Sequence, residues 1–171
     1  MKQLMVMLLL LIAARWSYSQ ESLKIVWLEE YEWKVLTNEE NDNLHLLEII
    51  PGQDRPKRWT LLGQMMSIKG ALNLSMDEAQ KLMFEQSKAN YTEVVLTSIE
   101  KDEDHEYPWI LFKIEMPTMK KTKKAESQLW YVRQGKTALF VNFIAKKDKK
   151  LDDAFVKKWS KVFKSSEIVQ L

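Results

Sequence analysis

Tyr31-Glu32-Trp33-Lys34-Val35 alternates large apolar with charged residues, the two-residue period of a half-buried strand. Asn38 to Asn43 is polar and acidic and reads as a turn. Leu44 to Ile50 returns as a second strand, stopped by Pro51-Gly52. Gln53 to Arg58 forms a loop, Trp59 to Ile68 a third strand, and Gly70 closes it. Thr92 to Glu100 and Pro108 to Glu115 pair as a hairpin across the acidic loop Lys101 to Tyr107. Met116 to Glu126 reads as an exposed loop. Gln128 to Arg133 and Thr137 to Ala145 then flank the short turn Gln134-Gly135, a second hairpin.

Two stretches change to helical period. Ser75 with Glu78 three residues on is a capping box, each side chain satisfying a backbone N–H that the first helical turn leaves orphaned. Met76, Ala79, Leu82, Met83 and Ala89 follow on one predicted face of a helix over 76–89. Lys88 suits the last turn, and Asn90 the left-handed cap. Over 151–164, Leu151, Phe155, Trp159, Val162 and Phe163 form an apolar stripe, with Lys157, Lys158, Lys161 and Lys164 on the solvent side. Seven strands and two helices, with no repeat or linker, predict one α+β domain: an antiparallel sheet with two main helices packed on it.

The first nineteen residues stand apart. Lys2 precedes the uncharged apolar run Leu4 to Ala14, and Ser17 and Ser19 occupy the small-residue positions of a signal-peptidase site. The run falls short of the roughly 20 apolar residues that span a bilayer, so the expectation is a signal peptide cleaved before Gln20. Cleavage leaves a single domain over 20–171, exported to the periplasm or secreted, with no transmembrane segment.

The 26 basic residues of the whole chain include Lys2 and Arg15, so the cleaved chain carries 24 basic and 24 acidic side chains. This balance is not a nucleic-acid signature, and no nucleic-acid partner is expected. The charges are unevenly placed. From Gln20 to Phe112 nine basic residues face eighteen acidic ones, net −9; from Lys113 to Leu171 fifteen face six, net +9. The absence of cysteine removes disulfides, thiolate metal sites and cysteine nucleophiles at once, and fits a bacterial envelope protein. Asn73-Leu74-Ser75 and Asn90-Tyr91-Thr92 match the glycosylation sequon.

No Walker loop, G-x-G-x-x-G, H-E-x-x-H or G-x-S-x-G occurs, and four glycines leave little material for a phosphate cradle; no cofactor is expected. Of the two histidines, His45 lies in an apolar strand, where a structural role is expected. His105 sits among Asp102, Asp104 and Glu106, a hard-cation spacing that lacks the usual turning glycine, so a solvated turn is the expectation. The binding candidates are basic and aromatic. Trp59 follows Pro56-Lys57-Arg58 at a loop-to-strand junction, which places Arg58 and Trp59 to edge a groove. Lys120, Lys121, Lys123 and Lys124 form one cluster and residues 146–150 another, suited to an anionic surface and equally to keeping exposed turns soluble.

Tyr31–Val35, Pro51-Gly52 with Trp59-Thr60 downstream, the capped helix from Ser75, and the stretch from Gly135 to Trp159 together resemble the PsbP-like fold. That resemblance implies an antiparallel sheet carrying helices and a role in binding or assembly rather than catalysis. A cystatin-like fold and a lipocalin-like barrel are the alternatives, and two long helices disfavour the barrel. The expected function is therefore a non-catalytic binding or assembly factor of the bacterial cell envelope. Its expected partner is an unknown protein or an anionic envelope component. The alternative is a small extracytoplasmic hydrolase whose site assembles from scattered residues.

Overall fold

The computed structural model describes residues 20–171, so the predicted signal segment, with Ser17 and Ser19, lies outside the described residues. Strands β2 (Lys34–Glu40), β3 (Leu44–Ile50), β4 (Leu61–Lys69), β6 (Val95–Asp102), β7 (Trp109–Met116), β9 (Glu126–Gln134) and β10 (Ala138–Lys146) form one sheet in the order β2-β3-β4-β10-β9-β7-β6. Every neighbouring pair is antiparallel. β9 and β10 are buried almost end to end because both faces of the sheet are covered. Leu129, Tyr131, Phe140 and Ile144 face helix α2 (Asp153–Lys164), whose Trp159, Val162 and Phe163 are buried against them. Trp130, Val132, Val141 and Phe143 point the other way, into the core with Met76, Ala79 and Met83 of helix α1 (Met76–Asn90). The α+β class with an antiparallel sheet of seven strands and two helices is as the patterning predicts.

The outer strands are blunted. β2 and β6 each carry a bulge, between Val35 and Thr37 and between Ser98 and Glu100, and both present charged residues to solvent. Such edges disfavour pairing with another chain.

Several elements differ from their patterning. Tyr31 and Trp33 precede the strand: residues 29–31 form a 3-10 turn, and Glu32 is left-handed at φ 47°. The alternation there serves an aromatic cluster instead, with Trp27, Tyr31 and Trp33 ring centroids 5.7, 5.7 and 6.0 Å from that of Trp159. β2 continues through Glu40, and the turn narrows to Asn41–Asn43, where Asn41 Oδ1 accepts from the N–H groups of Asn43 and Leu44. Leu82, half exposed, and Ala89 lie off the buried face of α1, which runs through Met76, Ala79, Gln80, Met83 and Ser87. Asn90 ends the helix without a left-handed cap, and Tyr91 follows extended. Glu93 instead turns left-handed at φ 58°, splitting the predicted strand 92–100 into β5 (Tyr91–Thr92) and β6.

Two short pairs complete the fold. β5 pairs with β8 (Thr118–Met119), so the predicted loop 116–126 is partly ordered. β1 (Glu21–Lys24) pairs with β11 (Glu167–Gln170), joining the two ends of the described chain. Glu21, itself buried, accepts hydrogen bonds from Thr137 N and Oγ1 at the β9–β10 turn.

Candidate functional site

The register sets Lys146 at the end of β10 opposite Leu61 at the start of β4 and next to Ser127 near the start of β9. One residue further along, Thr60 and Trp59, Lys147 and Glu126 gather at the same end of the sheet. Trp59 stays outside β4 because the loop before it is pinned. The buried carboxylate of Asp54 accepts from Thr60 Oγ1 at 2.7 Å and from the Thr60 backbone N–H. Arg58 N donates to Arg55 O at 2.8 Å, closing a tight turn that presents Arg55, Lys57 and Arg58 to solvent. Among the described residues none of these three cations forms an ion pair.

Lys147 covers the half-buried Trp59 ring, with Nζ 3.9 Å from the centroid. Partial burial holds the Lys147 ammonium below its ordinary value, the charge of nearby Lys124 adds to this, and Glu126 and Asp54 oppose it. Beneath lies a polar chain: Trp130 Nε1 donates to Gln128 Oε1 at 2.9 Å, and Gln128 Nε2 to Glu126 Oε1 at 2.7 Å. Burial raises the Glu126 carboxyl above the usual carboxylate range, although hydrogen bonds from Gln128 and Tyr91 and the charge of Lys147 pull it down. Burial, and then Glu126, push the Tyr91 phenol well above its ordinary value.

A carboxyl that titrates higher in the folded chain than in the unfolded one binds an extra proton between the two values, so its contribution to stability declines as pH rises through that interval. Glu126→Gln keeps an oxygen for Gln128 and removes the buried charge. The variant's melting temperature, relative to wild type, should therefore be highest near neutral pH, decline as acidification reprotonates Glu126, and have lost that advantage by about pH 4. Calorimetry across this range checks the sign; a difference growing on acidification would contradict it.

The structure separates the predicted lysine cluster. Lys120 Nζ donates to the carbonyls of Lys88 and Ala89 at 2.8 and 3.0 Å, capping the C-terminal end of α1 in place of the expected Asn90. Lys121 and Lys123 are exposed, with Lys123 in a left-handed turn at φ 59°. Only Lys124 comes close enough to Lys147 to act on its charge. Lys146 turns away to Asp148 and Asp152, at 2.7 and 3.8 Å. Sequence reasoning named Arg58, Trp59 and Lys124, and Lys147 within the 146–150 cluster, but missed Glu126 and Tyr91. The signal for Lys147 was its place in the second cluster; nothing local marked the other two.

Among the described residues neither imidazole hydrogen-bonds to a carboxylate. His45 Nε2 donates to Asn38 Oδ1 at 2.9 Å. His105 lies in an exposed turn where its backbone N–H donates to Asp102 Oδ1 and its Nδ1 accepts from Tyr107 N. Among the described residues no three His, Asp or Glu side chains converge as metal ligands, and no helix is long and apolar enough to cross a membrane. The fold and this end of it define an antiparallel sheet covered by one helix on each face, with a basic surface built around a tryptophan. No model of a known protein family matches the chain, and neither does any curated protein.

Proposed function

We propose that the protein is an exported, non-catalytic binding or assembly factor of the bacterial envelope that engages an anionic component through the Trp59 end of its sheet. The observation that carries this reading is the Lys147–Trp59 stack with Lys124 beside it, next to the turn bearing Arg55, Lys57 and Arg58. Partial burial and a neighbouring like charge make the Lys147 cation less comfortable in the free protein, and an approaching anion relieves that cost. The signal-like N-terminus supports export, and the PsbP-like resemblance supports a binding role.

Sedimentation with phosphatidylglycerol vesicles tests it. The protein should bind at low salt and dissociate near 0.5 M, where the screening length falls to about 4–5 Å. At about 1 kcal/mol for each lysine near an anionic surface, Lys124→Ala with Lys147→Ala should weaken binding roughly 30-fold. Absence of binding at low salt would retire anionic lipid as the partner. Binding indifferent to the double substitution would retire the site.

A further inference from the structure

Asn142 occupies the middle of β10 on the face that carries α2, and only 2% of it is exposed. The register flanks it with Tyr131 of β9 and Met65 of β4. Its Nδ2 donates to Tyr131 O at 3.3 Å, while Oδ1 accepts from no described residue.

This side chain borders a cavity of about 170 Å³ between β1 and the strands β3, β4 and β10. Ser22, His45 and Ser67 line the cavity with it. Both serine hydroxyls lack a hydrogen-bond partner among the described residues. Nε2 of His45 pairs with Asn38 Oδ1, and Nδ1 has no hydrogen-bond partner among the described residues. Leu23, Leu47, Met65 and Phe140 supply apolar walls. No Lys, Arg, Asp or Glu lines the space, so a charged ligand would find no counter-ion. The Asn142 carbonyl oxygen and both serine hydroxyls can accept a hydrogen bond. The volume lies below the roughly 300–1,000 Å³ of drug-sized sites, which limits the occupant to a small molecule.

We propose that this cavity binds a small uncharged molecule whose apolar body lies against Leu47 and Phe140 and whose hydroxyl or amide N–H donates to Asn142 Oδ1. The site lies on a different part of the fold from the Trp59 end and does not depend on the reading given to that end.

Phenol is the probe, with toluene as the match that lacks a donor. In amide NMR titrations of the 20–171 chain, phenol should saturably shift the Asn142 side-chain amide and the Ser22 and Ser67 backbone signals. Toluene should bind roughly fivefold more weakly, the worth of one neutral hydrogen bond. Asn142→Leu should abolish the preference for phenol. If that variant does not fold, Asn142→Ala should likewise bring the affinities for phenol and toluene together. No saturable shift with phenol, or equal affinity for the two probes in the wild type, would overturn the proposal.

Discussion

Trp159→Ala should destabilise the protein by about 3–5 kcal/mol, the range for removing a large aromatic from a core. The indole is fully buried and stands at the centre of a cluster drawn from three parts of the chain. Its ring lies 5.7 Å from Trp27 and from Tyr31, 6.0 Å from Trp33 and 6.1 Å from Phe155. The N-terminal segment is held to α2 by these contacts, with few backbone hydrogen bonds to assist. Truncation should loosen residues 25–33 and leave a void that rigid neighbouring rings cannot fill. Urea denaturation measures the cost, and the melting temperature should fall by roughly 10 °C. Trp159 Nε1 is buried without a hydrogen-bond partner among the described residues, so Trp159→Phe also discards an unpaired donor and should cost clearly less than alanine. Equal losses for the two variants would show that packing in this cluster does not set stability.

Gly63→Ala is expected to cost about 1–3 kcal/mol although it adds one methyl group. A Cβ at position 63 would sit 2.7 Å from two ring carbons of Trp27 and 2.9 Å from Ile49 Cγ1. Trp27 cannot swing aside, because its ring also meets Trp33, Trp159 and Phe163, and its Nε1–H points to Met65 Sδ at 3.2 Å. The glycine is therefore the gap in β4 that lets the N-terminal segment lie close on the sheet. The result is read from the same denaturation series, and Trp27→Leu in the Gly63→Ala background should recover part of the loss. A neutral Gly63→Ala would mean that the segment is free to lift away.

Local pattern carried the hairpins and the helices because each is a contiguous stretch whose period matches its own burial. The Ser75–Glu78 box forms as read: Ser75 Oγ accepts from Glu78 N, and Glu78 Oε2 accepts from Ser75 N. Trp159 falls on the buried stripe as the i, i+4 spacing predicts. Pattern failed where burial came from a distant element. Leu82 has the right spacing for the apolar face of α1, but the helix lies on the sheet with the face through Gln80 and Ser87 inward. Tyr31 and Trp33 alternate as a strand does, yet both are drawn to Trp159 and the backbone turns at Glu32.

Amino-acid order alone determined the α+β class, the number of sheet strands, the capped start of α1 and the buried stripe of α2. All of these depend on residues within one or two turns or hairpins of each other. The Trp59 end was half legible: its basic turn and tryptophan are contiguous, whereas Lys147, Glu126 and Tyr91 join it from three other elements. Only the tertiary structure decided that Lys124 sits by Lys147 while Lys120 caps a helix, that β1 closes against β11, and that Asn142 borders a cavity. The strand order that brings residues 60, 126 and 147 together follows from how two buried faces are covered at once, a property of the whole sheet that no single stretch of it encodes.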